Sequence, residues 1–310
     1  WDSIHVVEVN IEDASKASYR LTTTVMLSMT VPNHDAGDVN LSGSLTRQNS
    51  KVGKLDRGNT HVTNMGSMIE DMEIALRKQL ETFEGKQGHP IQGPQRTKAH
   101  LLFKWIDDLM RHPGLVDAVE DLIGPNILCW NTAFWIKEAQ SPAYVGWHQD
   151  LQYWGLDNDE LVSVWIALSP ATAESGCMSV MPGSHKKLLA HKETYHEDNM
   201  LTRGQEIEIN NATTVAMPLQ PGEASFHNVK SAHGSGPNNS TDRRIGLSMH
   251  YMPTHTRQLL SEWDSAALVR GEDTHNHFVH TPIPVHDFDP EAVAFHKRAS
   301  DTVREIVYKD

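Results

Sequence analysis

The sequence contains few cysteines and no long apolar run. Its two cysteines, Cys129 and Cys177, each lie in an apolar, strand-like stretch. Such a pair is typical of buried, reduced thiols and not of a disulfide framework. No window approaches the ~18 consecutive apolar residues of a membrane-spanning helix. A basic and apolar leader of the secretory type is also missing from the first residues. We therefore expect a cytoplasmic protein without a membrane anchor.

Basic residues are scarce relative to acidic ones. Lys and Arg together number 27, Asp and Glu number 40, and the formal net charge is −13. A protein that binds nucleic acid needs a basic face to neutralise phosphates, so this balance argues against a nucleic-acid partner. The hydrophobic content of 38% is ordinary for a globular protein. We expect one catalytic domain acting on a small molecule; composition does not bear on its oligomeric state.

Histidine, in contrast, is abundant, and two of the 19 histidines stand in suggestive places. His148 and Asp150 form a His-x-Asp motif, and His233 lies far downstream. Alternate residues of an extended segment share one face, so the motif presents two metal-binding side chains together. Two imidazoles and one carboxylate are the facial triad of non-haem Fe(II) enzymes. We predict that these three residues bind Fe(II), although His-x-Asp alone often occurs by chance.

An arginine strengthens this interpretation. Arg244 follows His233 closely and opens a strand-like run that ends at Tyr251. A guanidinium can hold a carboxylate through two parallel hydrogen bonds. An oxo-acid co-substrate chelating the metal would need such a partner for its far end.

From about Ile69 to the C-terminus the sequence resembles the phytanoyl-CoA dioxygenase family of Fe(II)- and 2-oxoglutarate-dependent oxygenases. The matching residues, in order, are Trp147-His148-Gln149-Asp150, Trp165 within Val164–Leu168, Gly176-Cys177-Met178, Met181-Pro182-Gly183-Ser184-His185, His233-Gly234-Ser235 and Arg244. The resemblance implies a mainly β fold with flanking α-helices around a double-stranded β-helix, the jelly-roll or cupin-like core. It also implies iron binding by the two histidines and the aspartate, with 2-oxoglutarate and dioxygen as co-substrates. Arg244 would bind the distal carboxylate of 2-oxoglutarate.

The resemblance suggests further contacts with small molecules. Ser235 and Trp165 are candidates for the 2-oxoglutarate site. Polar residues on the strand before the metal motif line that site in the family, which adds Asn131 and Lys137. Trp147 and Gln149 flank the metal ligands and are candidate substrate contacts. For these six residues, ordinary core or solvent-facing positions are the competing interpretation.

The expected reaction is hydroxylation of an unactivated C–H bond in a small organic substrate, with release of succinate and carbon dioxide. Relatives that halogenate replace the aspartate with a small residue, so the presence of Asp150 favours hydroxylation. Desaturation or cyclisation remains open within the family. A non-catalytic metal-binding jelly roll need not keep Arg244. A cupin-like hydrolase or isomerase would require a general base that the sequence does not identify. Some relatives take anionic substrates and others secondary metabolites, and the sequence does not decide between them.

The chain divides into residues 1–66, an N-terminal extension that could form a lid, and residues 67–310, the oxygenase domain. In the extension, β-prone runs at 4–11 and 21–31 precede a polar stretch at 32–59 that reads as a loop. Ser67-x-x-Glu70 is a capping box that starts a helix ending at Gly85. Further apolar periodicity predicts helices at 101–109, at 115–123 and from Asp289 onward, and strands at 127–137, 161–168, 178–181, 205–209, 213–219, 224–227 and 243–251.

Two further expectations concern the arrangement of histidines. His148 and Asp150 should lie at the rim of one strand, with His233 entering from the opposite sheet. The motif of His275, His277 and His280 could suggest a second metal site, but no carboxylate or cysteine follows at a convincing spacing. A surface loop is the better interpretation of that motif.

Overall fold

The computed structural model describes residues 66–201, 205–209 and 213–308, together with the backbone of 5–8, 23–31 and 39–47; side chains are described from Leu76 onward. The helices are α1 Gly66–Gln87, α2 Lys104–Met110, α3 Pro113–Ile123, α4 Leu151–Trp154 and α5 Pro290–Tyr308. The strands are β1 His5–Glu8, β2 Thr23–Val31, β3 Val39–Arg47, β4 Ile127–Lys137, β5 Val145–His148, β6 Val162–Ala167, β7 Met178–Val180, β8 His191–Glu193, β9 Gln205–Ile207, β10 Val215–Met217, β11 Glu223–Asn228, β12 His233–Ser235, β13 Arg244–Pro253, β14 Ser265–Arg270 and β15 Val279–His280.

Two facing sheets form the core of the fold. The larger has the strand order β15-β14-β4-β13-β6-β11-β1-β2-β3, and the smaller has the order β10-β7-β12-β5. All pairings are antiparallel except β14 with β15. Strands β8 and β9 form a separate ribbon. A larger and a smaller antiparallel sheet around one interior make the double-stranded β-helix that the resemblance implied, so the predicted fold class is confirmed.

The two central strands of the larger sheet are buried on both faces. β13 is buried along its whole length, and β4 is buried at all but one position, Trp135. One face packs on α1, α2 and α3 through a continuous apolar cluster, and the other lines the interior of the barrel. The polar residues of these strands, such as Asn131, Ser248 and His250, are therefore buried as well.

Helix α1 is part of this core. Its apolar repeat, evident in the sequence, places Leu76, Leu80 and Phe83 against the larger sheet and its helical cover. The ring of Phe83 stacks on Phe288 at 4.7 Å between centroids and meets Phe103 edge-on at 5.1 Å. Aromatic pairs at such distances stabilise beyond their buried area. The predicted amphipathic helix is thereby confirmed, although its capping box lies outside the described side chains.

The other predicted elements are also found, with two corrections. The strand at Ile127–Lys137 has the predicted bounds, and α3 stops at Gly124, whose φ of 86° favours glycine. The stretch predicted as a loop, 32–59, contains β3, paired along its length with β2. Its alternation of Val39, Leu41 and Leu45 was a strand signal that the polar composition concealed. The second correction concerns His233, which lies in the same sheet as His148 and not in the opposite one.

The N-terminal strands extend the larger sheet at its edge. β1 pairs with β11 on one side and β2 on the other. The predicted lid role of residues 1–66 depends on side chains outside the described part of the chain. The domain boundary at residue 66 also stays a prediction. Within the described part of the chain, no helix is both long and apolar enough to cross a lipid bilayer.

We predict that Leu80→Ala destabilises the whole domain. Leu80 is 0% exposed within the main apolar cluster, so truncation leaves a cavity and should lower the free energy of unfolding by about 2–5 kcal/mol. Urea unfolding followed by circular dichroism measures the change. Leu259→Ala is the control, because Leu259 is 66% exposed. Equal stabilities for the two variants would contradict the placement of α1 in the core.

Candidate active site

Three predicted ligands meet where two neighbouring strands of the smaller sheet pair. β5 and β12 are antiparallel, and His148 lies directly opposite His233. Asp150 follows β5 at the start of α4, with φ −55° and ψ −47°. The extended conformation predicted through Asp150 is therefore wrong, because the chain has already turned into the helix. The turn still brings the carboxylate to the imidazoles: its Oδ1 lies 3.2 Å from Nε2 of His148 and 3.8 Å from Nε2 of His233.

Hydrogen bonds fix which nitrogen of each imidazole is available. Nδ1 of His148 lies 2.9 Å from the carbonyl of Gly146, and Nδ1 of His233 lies 2.9 Å from the carbonyl of Ser231. A carbonyl only accepts, so both Nδ1 atoms carry the proton and donate it. Both Nε2 atoms thus remain available as ligand atoms and face Asp150, as in metal-ligating histidines.

The protonation states at neutral pH also suit a metal. Burial, followed by the neighbouring His148, lowers the pKa of His233 to about 4. Burial acts to raise the pKa of Asp150, but the imidazoles of His233 and His148 outweigh it and hold that pKa well below its usual range. Neutral imidazole and ionised carboxylate are the forms that bind a metal. Among the described residues this is the one group of three such side chains with ligand atoms within 4.8 Å. Its donor set fits Fe(II) in a facial triad.

A chain of hydrogen bonds leads away from the free oxygen of Asp150. Ser163 donates to Oδ2 at 2.9 Å and lies 3.0 Å from Nδ1 of His250. Ser248 lies 3.1 Å from Nε2 of His250 and accepts from the indole N–H of Trp135 at 3.0 Å. Burial lowers the pKa of His250 to about 4, so this imidazole is neutral at neutral pH. Each proton is then assigned: Nδ1–H of His250 donates to Ser163, and Ser248 donates to Nε2.

A small cavity of about 50 Å³ lies between the metal-binding group and Arg244. Arg244 is 2% exposed, and its Nε and Nη2 have no hydrogen-bond partner in the described structure. Its guanidinium lies over Trp165, 5.2 Å from the ring. The indole of Trp165 passes close to β13 at Gly246, which has no side chain. A Cβ at that position would stand only 1.9 Å from the ring. Burial lowers the pKa of Arg244 to about 10, so the side chain is still a cation at neutral pH.

A second basic side chain adjoins Arg244. Lys137 is its direct partner across the β4–β13 pair. Nζ of Lys137 donates to the hydroxyl of Ser235 at 2.6 Å and to the carbonyl of Gly236. Burial and then the charge of Arg244 lower the pKa of Lys137 to about 6. A bound anion would reverse that shift, since opposite charge favours the protonated amine. The structure thus brings Arg244, Lys137, Ser235 and Trp165 together as the sequence predicted.

Asn131 lies elsewhere. It lines a large cavity of about 510 Å³ that meets the small cavity at His148, Asp150, Trp135 and His250. This position separates Asn131 from Arg244, because Asn131 pairs with His250, six residues along β13 from Arg244. The predicted 2-oxoglutarate contact is therefore better interpreted as a residue of the large cavity.

Trp147 and Gln149 line neither cavity. Side chains alternate along β5, so Trp147 faces away from its neighbour His148 and packs over Gly234, where a Cβ would stand 3.2 Å from the indole. The amide of Gln149 is fully used: Nε2 donates to three backbone carbonyls, including that of Lys187 at 2.9 Å, and Oε1 accepts from Leu189 at 2.7 Å. Gln149 therefore holds the surrounding loops and has no capacity left for a substrate.

The structure adds residues that sequence reasoning missed. Helix α5, predicted from the sequence only as a helix, lines the large cavity through Val303 and Val307 among others. Ser163 and His250 likewise looked like ordinary strand residues. The motif at 275–280 is a surface loop, in which His280 pairs with Asp273 at 2.9 Å.

Comparison with known proteins supports the site. The profile of the phytanoyl-CoA dioxygenase (PhyH) family matches residues 62–246. A probable alpha-ketoglutarate-dependent hypophosphite dioxygenase from Stutzerimonas stutzeri is 31% identical over 225 residues, which cover 66% of this chain and 78% of that protein. The solved apo structure of the non-heme monooxygenase ThoJ superposes with a TM-score of 0.66 at 31% identity, covering 77% of this chain and 89% of ThoJ. ThoJ is also known as a nickel complex.

The N-terminal part resembles a different protein. The profile of the F-actin capping protein β subunit matches residues 1–86. The F-actin-capping protein subunit beta of Dictyostelium discoideum is 55% identical over 82 residues, which are 26% of this chain. The chain spans only 30% of the length of that relative. The two profile matches overlap on 62–86, which is nearly the whole of α1.

Taken together, the larger profile match, the oxygenase relative and the buried group of His148, Asp150 and His233 have one explanation. The chain belongs to the phytanoyl-CoA dioxygenase family of non-haem Fe(II)- and 2-oxoglutarate-dependent oxygenases.

Proposed function

We propose that the enzyme hydroxylates an unactivated C–H bond of a small organic substrate, with 2-oxoglutarate converted to succinate and carbon dioxide. The observation that carries the proposal is Arg244. A buried guanidinium with two nitrogen atoms that lack a hydrogen-bond partner among the described residues is costly unless an anion completes it. It lies at one end of the small cavity, whose other end is the metal-binding group. A dicarboxylate that chelates a metal through one end and carries its second charge at the other fits that arrangement.

The proposal assigns a task to six residues in or beside the small cavity. His148, Asp150 and His233 would hold Fe(II), which when bound supplies the activation of dioxygen. Arg244 binds the distal carboxylate of 2-oxoglutarate, and Lys137 and Ser235 stand beside it. Because these groups are buried, they exclude water from the co-substrate and strengthen its electrostatic attachment.

The substrate approaches from the large cavity. His148 and Asp150 border both cavities, so a molecule in the large cavity reaches the metal on the side away from Arg244. The carboxylate of Asp150 occupies the position that halogenating relatives leave open for chloride. This favours return of a hydroxyl group to the substrate. Product analysis distinguishes hydroxylation from desaturation or cyclisation.

Ser163 has a positioning task. Its hydroxyl holds Oδ2 of Asp150, which leaves Oδ1 facing both imidazoles. His250 and Ser248 in turn fix the orientation of that hydroxyl. Replacing a residue that hydrogen-bonds to a metal ligand typically lowers metal affinity or activity about 10- to 100-fold. The chain of hydrogen bonds thus prepares the carboxylate for the metal.

A second function is favoured by the N-terminal similarity. We propose that residues 1–86 attach the oxygenase to F-actin, because this stretch matches a subunit of an F-actin-capping protein at high identity. Only a fraction of that subunit is present, so attachment is proposed and not the complete capping activity. Helix α1 would then serve both parts of the chain.

Binding of the metal and the co-substrate tests the main proposal. Anaerobic titration with Fe(II) and 2-oxoglutarate should produce a weak visible charge-transfer band that requires both ligands. Arg244→Ala should lower the apparent affinity for 2-oxoglutarate about ten- to a hundredfold, because a hydrogen-bonded charge is lost. Arg298→Ala, an exposed arginine outside both cavities, is the matched control and should behave as wild type. No band in folded, iron-loaded protein would remove the oxygenase proposal.

The positioning task of Ser163 predicts an effect on metal affinity. We expect Ser163→Ala to weaken Ni(II) binding, measured by calorimetry without oxygen chemistry, by about 10-fold or more. Ser225→Ala is the control, since Ser225 is a buried strand serine whose hydroxyl has no hydrogen-bond partner in the described structure. If both variants bind Ni(II) as wild type does, Ser163 does not position Asp150.

The attachment to actin is tested by sedimentation with filamentous actin. The full chain should pellet with filaments, and a variant lacking residues 1–65 should stay in the supernatant. The charge-transfer band of the shortened variant reports whether its oxygenase part has folded. Equal amounts of the two proteins in the pellet would exclude attachment through this segment.

A further inference from the structure

The large cavity defines what kind of substrate this enzyme takes; this inference rests on the proposed function. At about 510 Å³ it lies within the usual range of small-molecule sites. It opens directly on His148 and Asp150. Its walls come from places distant in sequence: the segment around Pro94, strand β4, the β5–α4 stretch, the segment around Met200, His250 of β13 and helix α5.

Much of the wall is aromatic. Trp154 is flanked by Trp130, at 5.1 Å between ring centroids, and by His250, at 4.4 Å. Tyr153 and Trp135 also line the cavity. Aromatic faces bury a large apolar area and favour flat partners in stacked or edge-on contact. The wall therefore suits a planar, mainly apolar body.

Among the described residues that line the cavity, positive charge is nearly absent. Of the described residues that line it, only Arg304 is a lysine or arginine, and that residue is exposed at the outer part of α5, near Asp301. Lys98 lies behind Trp130 but is 0% exposed, donates to the carbonyl of Ser265 at 2.7 Å and faces Asp264. A compact anion in the interior would lose its hydration without gaining a partner.

One polar group near the metal side is available for recognition. Oδ1 of Asn131 accepts a hydrogen bond from the backbone N–H of Lys98, at 3.0 Å between oxygen and nitrogen. Its Nδ2 has no acceptor within the described residues, although the side chain lines the cavity. A neutral amide N–H there selects a hydrogen-bond acceptor on the substrate, such as a carbonyl, ether or hydroxyl oxygen.

We propose that the large cavity binds an uncharged, flat, mainly apolar organic molecule that carries a hydrogen-bond acceptor, placing one of its C–H bonds at the metal. Small phosphorus oxyanions, the kind of substrate that the hypophosphite dioxygenase relative is named for, would find no interior cation among the described residues that line the cavity.

Calorimetric titration of the Ni(II)- and 2-oxoglutarate-loaded full chain tests this proposal. The probes are 2-quinolone, indole and 2-naphthol on one side, and hypophosphite and phosphite on the other. We expect saturable binding of at least one neutral bicyclic probe and none of the anions. Trp154→Ala should weaken that binding about tenfold, since a stacking face is removed. Val307→Trp should abolish it by filling the cavity from α5.

Trp263→Ala is the matched control, because Trp263 packs on the outer side of α5 against Arg298 and does not line the large cavity. Its affinity for the probes should equal that of wild type. Saturable binding of hypophosphite, or absence of binding by all neutral probes in folded protein, would overturn the inference. A charge-transfer band without probe binding leaves the oxygenase proposal intact and removes this one. Probe binding that depends on Trp154, in a protein that shows no band, removes the oxygenase proposal and leaves the proposed kind of ligand for the cavity intact.

Discussion

The pairing of β5 with β12 is the constraint on which the active site depends. This register puts His148 directly opposite His233, and the hydrogen bonds of both Nδ1 atoms to backbone carbonyls turn both Nε2 atoms towards Asp150. A slip of one residue would send either imidazole to the other face of the sheet, because side chains alternate along a strand. The metal-binding geometry is therefore a property of backbone pairing in the smaller sheet.

The larger sheet supplies the rest of the chemistry. The β4–β13 pair places Lys137 beside Arg244 at one end, and it places Asn131 opposite His250, six residues further along β13. In the proposed function, the same two strands thus contribute to the site of a dicarboxylate and to the cavity that a substrate enters. Trp135, Ser248 and His250 lie between them and connect to Asp150 through Ser163. One hydrogen-bonded wall both divides the site and orients a metal ligand.

Helix α1 is assigned differently by sequence similarity and by packing. By sequence it belongs to the match with the capping-protein subunit as well as to the oxygenase match. By packing it belongs to the oxygenase, since Leu80 and Phe83 are in the core and Glu84 pairs with Arg243 at 2.7 Å. The ion pair joins α1 to the residue next to Arg244. The helix thereby connects the N-terminal part of the chain to the co-substrate end of the site.

The sequence by itself determined the donor types and most of the elements. His-x-Asp, a later histidine and a following arginine specified an iron and oxo-acid site, and apolar periodicity located the helices and the long strand β4. Tertiary structure alone decided which residues share a cavity. Asn131 and Lys137 occupy one face of one strand, yet Asn131 lines the large cavity and Lys137 donates to Ser235 beside Arg244. Gln149 lies between His148 and Asp150 in sequence, but its side-chain amide hydrogen-bonds to backbone groups. Val303 and Val307 belong to a helix that was predicted only from apolar periodicity, and they line the large cavity. Local patterns report the face on which a side chain lies, whereas the neighbours of that face are chosen by strand pairing and helix packing over long sequence separations.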